Sequence, residues 1–284
     1  MGEAGVGPLA GMHVVVTRPA AQAGPFCTML EAQGAQVTRF PVIEIRGPAD
    51  PAQLNTVLAG LDGFDIAVFV SANAVQRVLA LLRERGAWPQ GVAAAAIGAR
   101  TASELREHGV APTIVPAARF DSEALLEEPA MQQVRGRRVV IFRGDGGRPH
   151  LREILTERGA EVVYAEAYRR ALPDIDATPL RQALANRRVD AITVTSGESL
   201  QNLCRMIGRA GQVALLRTAL VAGATRVAAM ARDEGFAGRI ETADDPTDTA
   251  MLAAVLRLHA SGRGGEREPS EPSEPSEPSE PSAG

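Results

Sequence analysis

The sequence predicts an α/β protein of two lobes, each containing a parallel sheet covered by helices on both faces. Short apolar runs of strand length alternate with segments of helical periodicity. The runs are continuously apolar, as expected for parallel strands that are buried on both faces. The same alternation recurs at a constant spacing of 125 residues, which indicates an internal duplication. Together these observations favour two flavodoxin-like lobes.

The clearest strand–turn–helix–strand unit lies at residues 137–170. The apolar run 139–142 has the length and β-branched character of a buried strand, and helical spacing of apolar residues follows until Gly159. The turn between them contains Arg143, Gly144 and Arg148. Backbone N–H groups and two arginines at a helix N-terminus are suited to binding an anion.

The first part of the chain matches this unit. Residues 12–45 are predicted to form a strand, a turn, a helix and a second strand over 35–45. The aligned pairs, each 125 residues apart, are Val14 and Val139, Arg18 and Arg143, Leu30 and Leu155, and Gly34 and Gly159.

The duplication continues beyond these units. Residues 64–71 match 189–196 as buried strands, each followed by an amphipathic helix. The next strands place Gly98 opposite Gly223, again 125 residues apart. The last helix of each copy is predicted to begin near Ser122 and near Thr247 or Thr249.

Six strand-to-helix turns are predicted to lie at the carboxyl ends of the strands, where sheets of this kind bind ligands. Ser or Thr begins nearly every helix, which simple N-capping explains at any one turn. For six turns on one edge of two facing lobes, a shared anionic ligand is the better account. The candidate binding residues are Thr17, Arg18, Ser71, Ala72, Asn73, Gly98, Arg100, Thr101, Arg143, Gly144, Arg148, Thr195, Ser196, Gly197 and Thr225.

Composition excludes several classes of function. The chain has no lysine, which excludes Schiff-base chemistry on lysine and a Walker A loop. Two cysteines and four scattered histidines give neither a disulfide framework nor metal-ligand spacing. No basic stripe suggests nucleic-acid binding, and no apolar stretch suggests a membrane span. The first residues lack the pattern of a secretory signal, so a cytoplasmic protein is expected.

The last residues form a separate segment. Residues 266–284 contain six glutamates and one arginine, a net charge of −5, within a repeated Glu-Pro-Ser tripeptide. Because the whole chain has a net charge of −4, residues 1–265 have a net charge of +1. We expect residues 261–284 to form a disordered acidic tail.

Several short motifs occur in a characteristic order over residues 12–258. They are Val16-Thr17-Arg18-Pro19, the segment from Phe40 to Ile45, Phe69-Val70-Ser71-Ala72-Asn73, Ile97-Gly98-Ala99-Arg100-Thr101, Ser122-Glu123-Ala124-Leu125-Leu126, Arg143-Gly144 with Arg148, Tyr168-Arg169-Arg170 and Thr195-Ser196-Gly197. In this order they resemble the uroporphyrinogen-III synthase family. One departure is the looser turn Gly223-Ala224-Thr225.

The resemblance implies a domain arrangement that the duplication alone does not give. The chain would cross between lobes twice, at 40–46 and 165–172, through a two-stranded connection. Residues 1–39 with 173–260 would then form one lobe, and 47–164 the other.

The resemblance also implies an activity. Members cyclise hydroxymethylbilane, a linear tetrapyrrole with eight carboxylates, to uroporphyrinogen III, with inversion of the last ring and loss of water. They need no metal or cofactor. Ser122 joins the binding residues, and Tyr168 matches the tyrosine proposed to assist departure of the hydroxyl. A phenol is protonated at neutral pH and can donate.

Alternatives remain for these residues. Tyr168 could instead be a hinge residue that packs between lobes, since tyrosine combines packing with a polar tip. Arg143 and Arg148 could pair with nearby carboxylates on the surface. The whole protein could be a non-catalytic two-lobed sensor of a small anion. As an enzyme it is expected to be a monomer that transiently contacts the upstream hydroxymethylbilane synthase.

Overall fold

The computed structural model describes residues 7–117, 119, 121–146 and 149–263. The chain divides into two compact units. Unit 1 contains the described residues up to Val42 and from Asp174 onward, and unit 2 is Ile43–Pro173. Residues 261–263 of the predicted disordered tail belong to the last helix, so the prediction is wrong for these three. Residues 264–284, which contain the Glu-Pro-Ser repeat, lie outside the described residues.

Strands and helices alternate along the chain, as the sequence predicts. The strands are β1 (His13–Val16), β2 (Gln36–Arg39), β3 (Glu44–Arg46), β4 (Ile66–Phe69), β5 (Ala93–Ala96), β6 (Arg138–Gly144), β7 (Glu161–Ala171), β8 (Ala191–Val194), β9 (Ala219–Ala222) and β10 (Ile240–Thr242). The α-helices are α1 (Ala20–Ala32), α2 (Pro51–Ala59), α3 (Ala72–Arg83), α4 (Ala99–Glu107), α5 (Ser122–Glu127), α6 (Pro129–Gln132), α7 (His150–Glu157), α8 (Thr178–Ala185), α9 (Gly197–Arg217), α10 (Thr225–Asp233) and α11 (Asp248–Arg263). A short 3-10 helix occupies Leu61–Gly63.

Each unit contains one sheet of five strands among the described residues. In unit 1 the order is β10-β9-β8-β1-β2 and every pairing is parallel. This is the flavodoxin order, with the first strand of the unit beside its second and third. In unit 2 the order is β3-β7-β6-β4-β5, and only β3 runs antiparallel. The predicted α/β class with parallel sheets is therefore confirmed.

The strand registers confirm the duplication. In unit 1, Val14 of β1 lies opposite Val37 of β2 and Ala191 of β8. In unit 2, Val139 lies opposite Val162 and Ile66, each 125 residues from its counterpart. Each unit therefore combines the first two strands of one copy with the later strands of the other copy.

Two details of the predicted repeat are wrong. The strand predicted over 35–45 is two strands, since Pro41, which lacks an N–H group, lies between β2 and β3. Gly98 does not correspond to Gly223: the helix after β5 starts at Ala99 and that after β9 at Thr225, a spacing of 126. The N-cap position of Gly98 therefore corresponds to that of Ala224.

Alternation along the central strands of unit 2 fills a core on each face of the sheet. On one face Phe69 stacks on Phe142, with ring centroids 5.1 Å apart, and both lie in the cluster that includes α3. Val68 and Ile141 point to the opposite face and pack with α5 and α7 residues. Burial on both faces explains why these strands read as continuous apolar runs. None of the helices in the described ranges has the length and apolar character needed to cross a bilayer.

In each unit an aspartate just before one strand, Asp190 before β8 and Asp65 before β4, fixes where the neighbouring strand begins. Asp190 accepts a hydrogen bond of 2.7 Å from the backbone N–H of His13. Asp65 accepts one of 2.8 Å from the N–H of Arg138 and another of 3.0 Å from the Arg137 guanidinium. The Arg138 N–H and then the Arg137 side chain hold the pKa of Asp65 below its usual range.

We expect Asp65→Ala to lower the free energy of unfolding by about 1 kcal/mol at neutral pH, because a partly exposed charge-assisted link is lost. Since the folded-state pKa is lowered, this stability is complete above the unfolded-state value of about 3.9 and is lost as the pH falls through the lower folded-state value. Urea unfolding at pH 7 and at about pH 3 measures the difference. Asp62→Ala, at an exposed neighbour, is the control, and an Asp65→Ala effect independent of pH would contradict the assignment.

Candidate functional site

A pocket of about 360 Å³ lies at the carboxyl edge of the unit 2 sheet. It brings together five predicted site residues, which are Ser71, Ser122, Arg143, Gly144 and Tyr168. Its lining also includes Asp121, Asp145, His150, Tyr164 and Arg170. We call it the unit 2 pocket.

A register shift between β6 and β7 turns Tyr168, which lines this pocket, to the α3 side of the sheet. Arg143 pairs with Glu166, but the next residue, Gly144, pairs with Tyr168. Consequently Ala167 and Tyr168, although adjacent, both pack in the core cluster that contains α3. Regular alternation would have turned Tyr168 toward the α7 side, as it does Tyr164.

Gly144 makes room for the Tyr168 ring. A Cβ atom on Gly144 would lie 2.8 Å from Cζ and 2.9 Å from Cε2 of Tyr168. The backbone N–H of Asp145 donates a 3.0 Å hydrogen bond to the Tyr168 carbonyl, which keeps the two strands close. Tyr168 is 3% exposed, so any larger residue at position 144 would require this packed ring to shift.

The Tyr168 hydroxyl meets the start of helix α3. Its oxygen is 3.0 Å from Oγ of Ser71, and either group can donate. Ser71 is also the N-cap of α3, because its Oγ accepts a 3.2 Å hydrogen bond from the N–H of Ala74. The phenol therefore lies at the positive end of a helix dipole, next to a hydroxyl that the helix orients.

Arg143 lies in β6, which runs two residues beyond the predicted apolar run. Its guanidinium stacks over the Tyr164 ring, with Cζ 4.6 Å from the centroid, and its Nε donates to the Gly144 carbonyl at 3.1 Å. It makes no ion pair with any carboxylate in the described part of the chain. Surface pairing, the alternative for Arg143, is therefore not what the structure shows.

The pocket also contains carboxylates, but backbone groups already hold two of them. Asp121 is the N-cap of α5 and accepts a 2.7 Å hydrogen bond from the N–H of Ala124. Asp145 accepts one of 3.0 Å from the N–H of Arg170. Ser122 is therefore the first helical residue of α5, and its predicted place at the start of that helix is confirmed.

The other predicted residues of unit 2 do not line the pocket as the described residues define it. Ala72 is buried and Asn73 half-buried in the first turn of α3. Gly98 is the N-cap of α4, while Arg100 is exposed and Thr101 is buried in that helix. Arg148 lies outside the described residues.

The candidate residues of unit 1 meet at the carboxyl edge of its own sheet. Thr17 is buried and donates a 2.6 Å hydrogen bond from Oγ1 to the Thr193 carbonyl, so it joins β1 to β8 and does not cap a helix. Ser196 is the N-cap of α9 and accepts a 3.1 Å hydrogen bond from the N–H of Ser199. A Cβ on Gly223 would lie 3.0 Å from Cα of Thr195, which brings these two turns into contact.

Three further unit 1 positions complete this edge. Arg18 forms an ion pair with Asp248, donates a 2.9 Å hydrogen bond to the Pro246 carbonyl, and stacks over Phe26. Its guanidinium is thus held by groups of the same unit. Gly197 is buried beside Met230, and Thr225 is the exposed first residue of α10.

Sequence reasoning missed Tyr164, Asp145 and His150 as pocket residues. Tyr164 is in the predicted strand after Gly159, and a polar aromatic residue near the carboxyl end of a parallel strand was a usable signal. Asp145 lies in the glycine-rich turn that was predicted to bind an anion, where a carboxylate is unexpected. Within the described ranges, no cluster of three or more His, Cys, Asp and Glu could hold a metal ion.

Comparison with known proteins gives a consistent result. The family model described as "Uroporphyrinogen-III synthase HemD" matches residues 25–253. A uroporphyrinogen-III synthase of Salmonella typhimurium is 35% identical over 246 residues, which cover 86% of this chain and 100% of that protein. The Escherichia coli K12 uroporphyrinogen-III synthase is 33% identical over the same shares.

Solved structures give the fold. A mutant uroporphyrinogen III synthase from Thermus thermophilus matches with a TM-score of 0.58 and 23% identity, covering 88% of this chain and 99% of that one. A uroporphyrinogen-III synthetase from Helicobacter pylori 26695 matches with a TM-score of 0.56 and 17% identity, covering 87% and 99%. At these identities the likeness concerns the architecture alone.

We expect Gly144→Ala to lower the free energy of unfolding by about 2 kcal/mol, because a buried ring must move from its packed position. The matched control is Gly91→Ala in the same unit, where an added Cβ would meet nothing within 4 Å. Urea unfolding of both variants measures the effect. If the two variants have the same free energy of unfolding, the Tyr168 ring moves aside without a loss of stability, and the expectation is wrong.

Proposed function

The chain belongs to the uroporphyrinogen-III synthase family, and we propose that the unit 2 pocket is where it assists ring closure of hydroxymethylbilane. The family's activity is that of a lyase in tetrapyrrole biosynthesis, which forms uroporphyrinogen III and releases water. The observation that carries the proposal is the 3.0 Å contact between the Tyr168 hydroxyl and Ser71 Oγ, beside Arg143 in one pocket.

The reaction needs a proton donor and a restraint on a flexible substrate. The hydroxyl of the terminal hydroxymethyl group leaves as water when its C–O bond breaks and its oxygen gains a proton, and the methylene carbon stays on the pyrrole. The electrophilic azafulvene that remains is attacked by the last pyrrole ring at its substituted α-carbon, which gives a spiro intermediate and then the inverted ring. An enzyme that holds the two ends of the substrate together in that geometry accelerates the closure through proximity and orientation.

Tyr168 is proposed as the donor of that proton. Its phenol lines the pocket, and its ring packs against Gly144. After donation, a phenolate would accept a hydrogen bond from Ser71 at the N-terminus of α3, where the helix dipole favours negative charge. The guanidinium of Arg170, with Cζ 5.9 Å from the ring centroid, adds positive charge nearby.

Arg143 and the unit 1 edge are proposed to bind substrate carboxylates. A guanidinium fork fits a carboxylate in two parallel hydrogen bonds. Substrate carboxylates require such partners, and backbone N–H groups are offered by the N-termini of α3 and α4 in unit 2 and of α9 and α10 in unit 1. The predicted binding residues Thr17, Arg18, Thr195, Ser196, Gly197 and Thr225 keep this role as part of the proposal.

The remaining expectations concern the protein in the cell. We propose that it acts as a monomer in the cytoplasm, without metal or cofactor, and takes its unstable substrate through a transient contact with hydroxymethylbilane synthase. A tetrapyrrole with eight carboxylates is soluble in water, which supports the proposal of an enzyme that acts in the aqueous cytoplasm.

The first test of the function separates an enzyme from a sensor of small anions, the alternative to which the comparisons give no support. Purified protein is supplied with hydroxymethylbilane, and the isomers of the product are resolved. We expect the inverted isomer to dominate, because closure at the substituted α-carbon needs an enforced geometry. An isomer ratio equal to that of the spontaneous reaction would exclude the enzyme.

Tyr168→Phe tests the proton donor. We expect kcat to fall by about 10²-fold while affinity for the product changes little, because general acid catalysis acts in the transition state. Steady-state kinetics and product binding by fluorescence titration provide the two values. Equal losses in turnover and in binding would instead assign Tyr168 a packing role, which its buried ring also permits.

A further inference from the structure

Tyr164 lies in the unit 2 pocket on the opposite side of β7 from the Tyr168 ring. We propose that Tyr164 is a positioning residue: its ring fixes the Arg143 guanidinium in the orientation that receives a substrate carboxylate. The proposal rests on the proposed function of the pocket and adds a determinant of substrate affinity to it.

The Tyr164 ring is itself held firmly. Its backbone pairs with Ile141 in the β6–β7 ladder. Its hydroxyl donates a 3.3 Å hydrogen bond to the carbonyl of Pro149, the residue before α7. The side chain thus spans from the sheet to the start of the helix, and its half-buried ring presents a fixed face to the pocket.

Arg143 is restrained at two points. Its Cζ is 4.6 Å from the Tyr164 centroid, within the range of a cation–π contact. Its Nε is bound to the Gly144 carbonyl at 3.1 Å. Its two terminal nitrogens donate no hydrogen bond to any other residue in the described ranges. These terminal nitrogens can therefore offer a pair of N–H groups to a carboxylate.

This restraint affects affinity more than turnover. A free arginine side chain loses much rotamer freedom when it binds an anion, and a pre-ordered one has already lost it. A substrate carboxylate takes no part in bond making or breaking and is bound about equally in the ground state and the transition state, so loss of order raises KM and leaves kcat nearly unchanged.

A second arginine on the same ring provides a matched control. Arg152 of α7 has its Cζ 5.3 Å from the Tyr164 centroid, but it is exposed and is not among the residues that line the pocket. The substitution Arg152→Ala removes one cation from the Tyr164 ring but removes no proposed partner of the substrate carboxylate. We therefore expect Arg152→Ala to keep the wild-type KM.

The experiment measures KM and kcat for hydroxymethylbilane with the full chain. We expect Tyr164→Leu to raise KM about fivefold with kcat within about twofold. Tyr164→Phe, which keeps the ring, should bring KM back to within about twofold of wild type. On an Arg143→Ala background, Tyr164→Leu should raise KM no further, because the residue it positions is gone.

Three results would overturn the proposal. They are an unchanged KM in Tyr164→Leu, an equal increase in Tyr164→Phe, and an additive increase on the Arg143→Ala background. Should Tyr164→Leu be too unstable to assay, Tyr164→Met keeps an apolar side chain without a π face and carries the same expectations. Failure of the proposed function itself is recognised separately, since the wild-type protein would then show no isomer preference.

Discussion

The site depends on one packing constraint, the contact between the bare Cα of Gly144 and the ring of Tyr168. The β6–β7 pairing shifts register at this point, and the shift turns Tyr168 to the α3 side. Its hydroxyl thereby reaches Ser71, while Tyr164, four residues earlier, faces Arg143. A single irregularity in a parallel ladder thus sends two tyrosines of one strand to two different partners.

The other polar groups of the predicted sites lie in the turns before helices, and they do not all have the same structural role. Ser71 and Ser196 cap their helices, as the sequence suggests. Thr17 instead joins two strands. The hydroxyl-rich turns therefore combine three kinds of groups: caps that orient a helix, bonds that hold the sheet edge, and side chains that line a pocket.

The sequence allowed the fold and much of the pocket to be predicted, since continuous apolar runs and a repeated spacing are local signals. Ser71 and Arg143 follow from the positions of their strands, whereas Tyr168 was proposed from the family resemblance. The register shift could not be predicted, because Ala167 resembles any other strand residue until its partner strand is known. The pairing of Arg18 with Asp248 was equally hidden, since 230 residues separate the two along the chain. A one-residue change of spacing between the copies also displaced Gly223 from its supposed counterpart.

The exchange of strands between the two copies has a consequence for synthesis. Unit 2 is one continuous segment, Ile43–Pro173, so all of its strands have left the ribosome before most of unit 1 is made. Strands β1 and β2, although made first, must wait for β8, β9 and β10 before their sheet exists. The apolar strand β1 therefore spends much of translation without its neighbour β8, a period in which a chaperone can bind it.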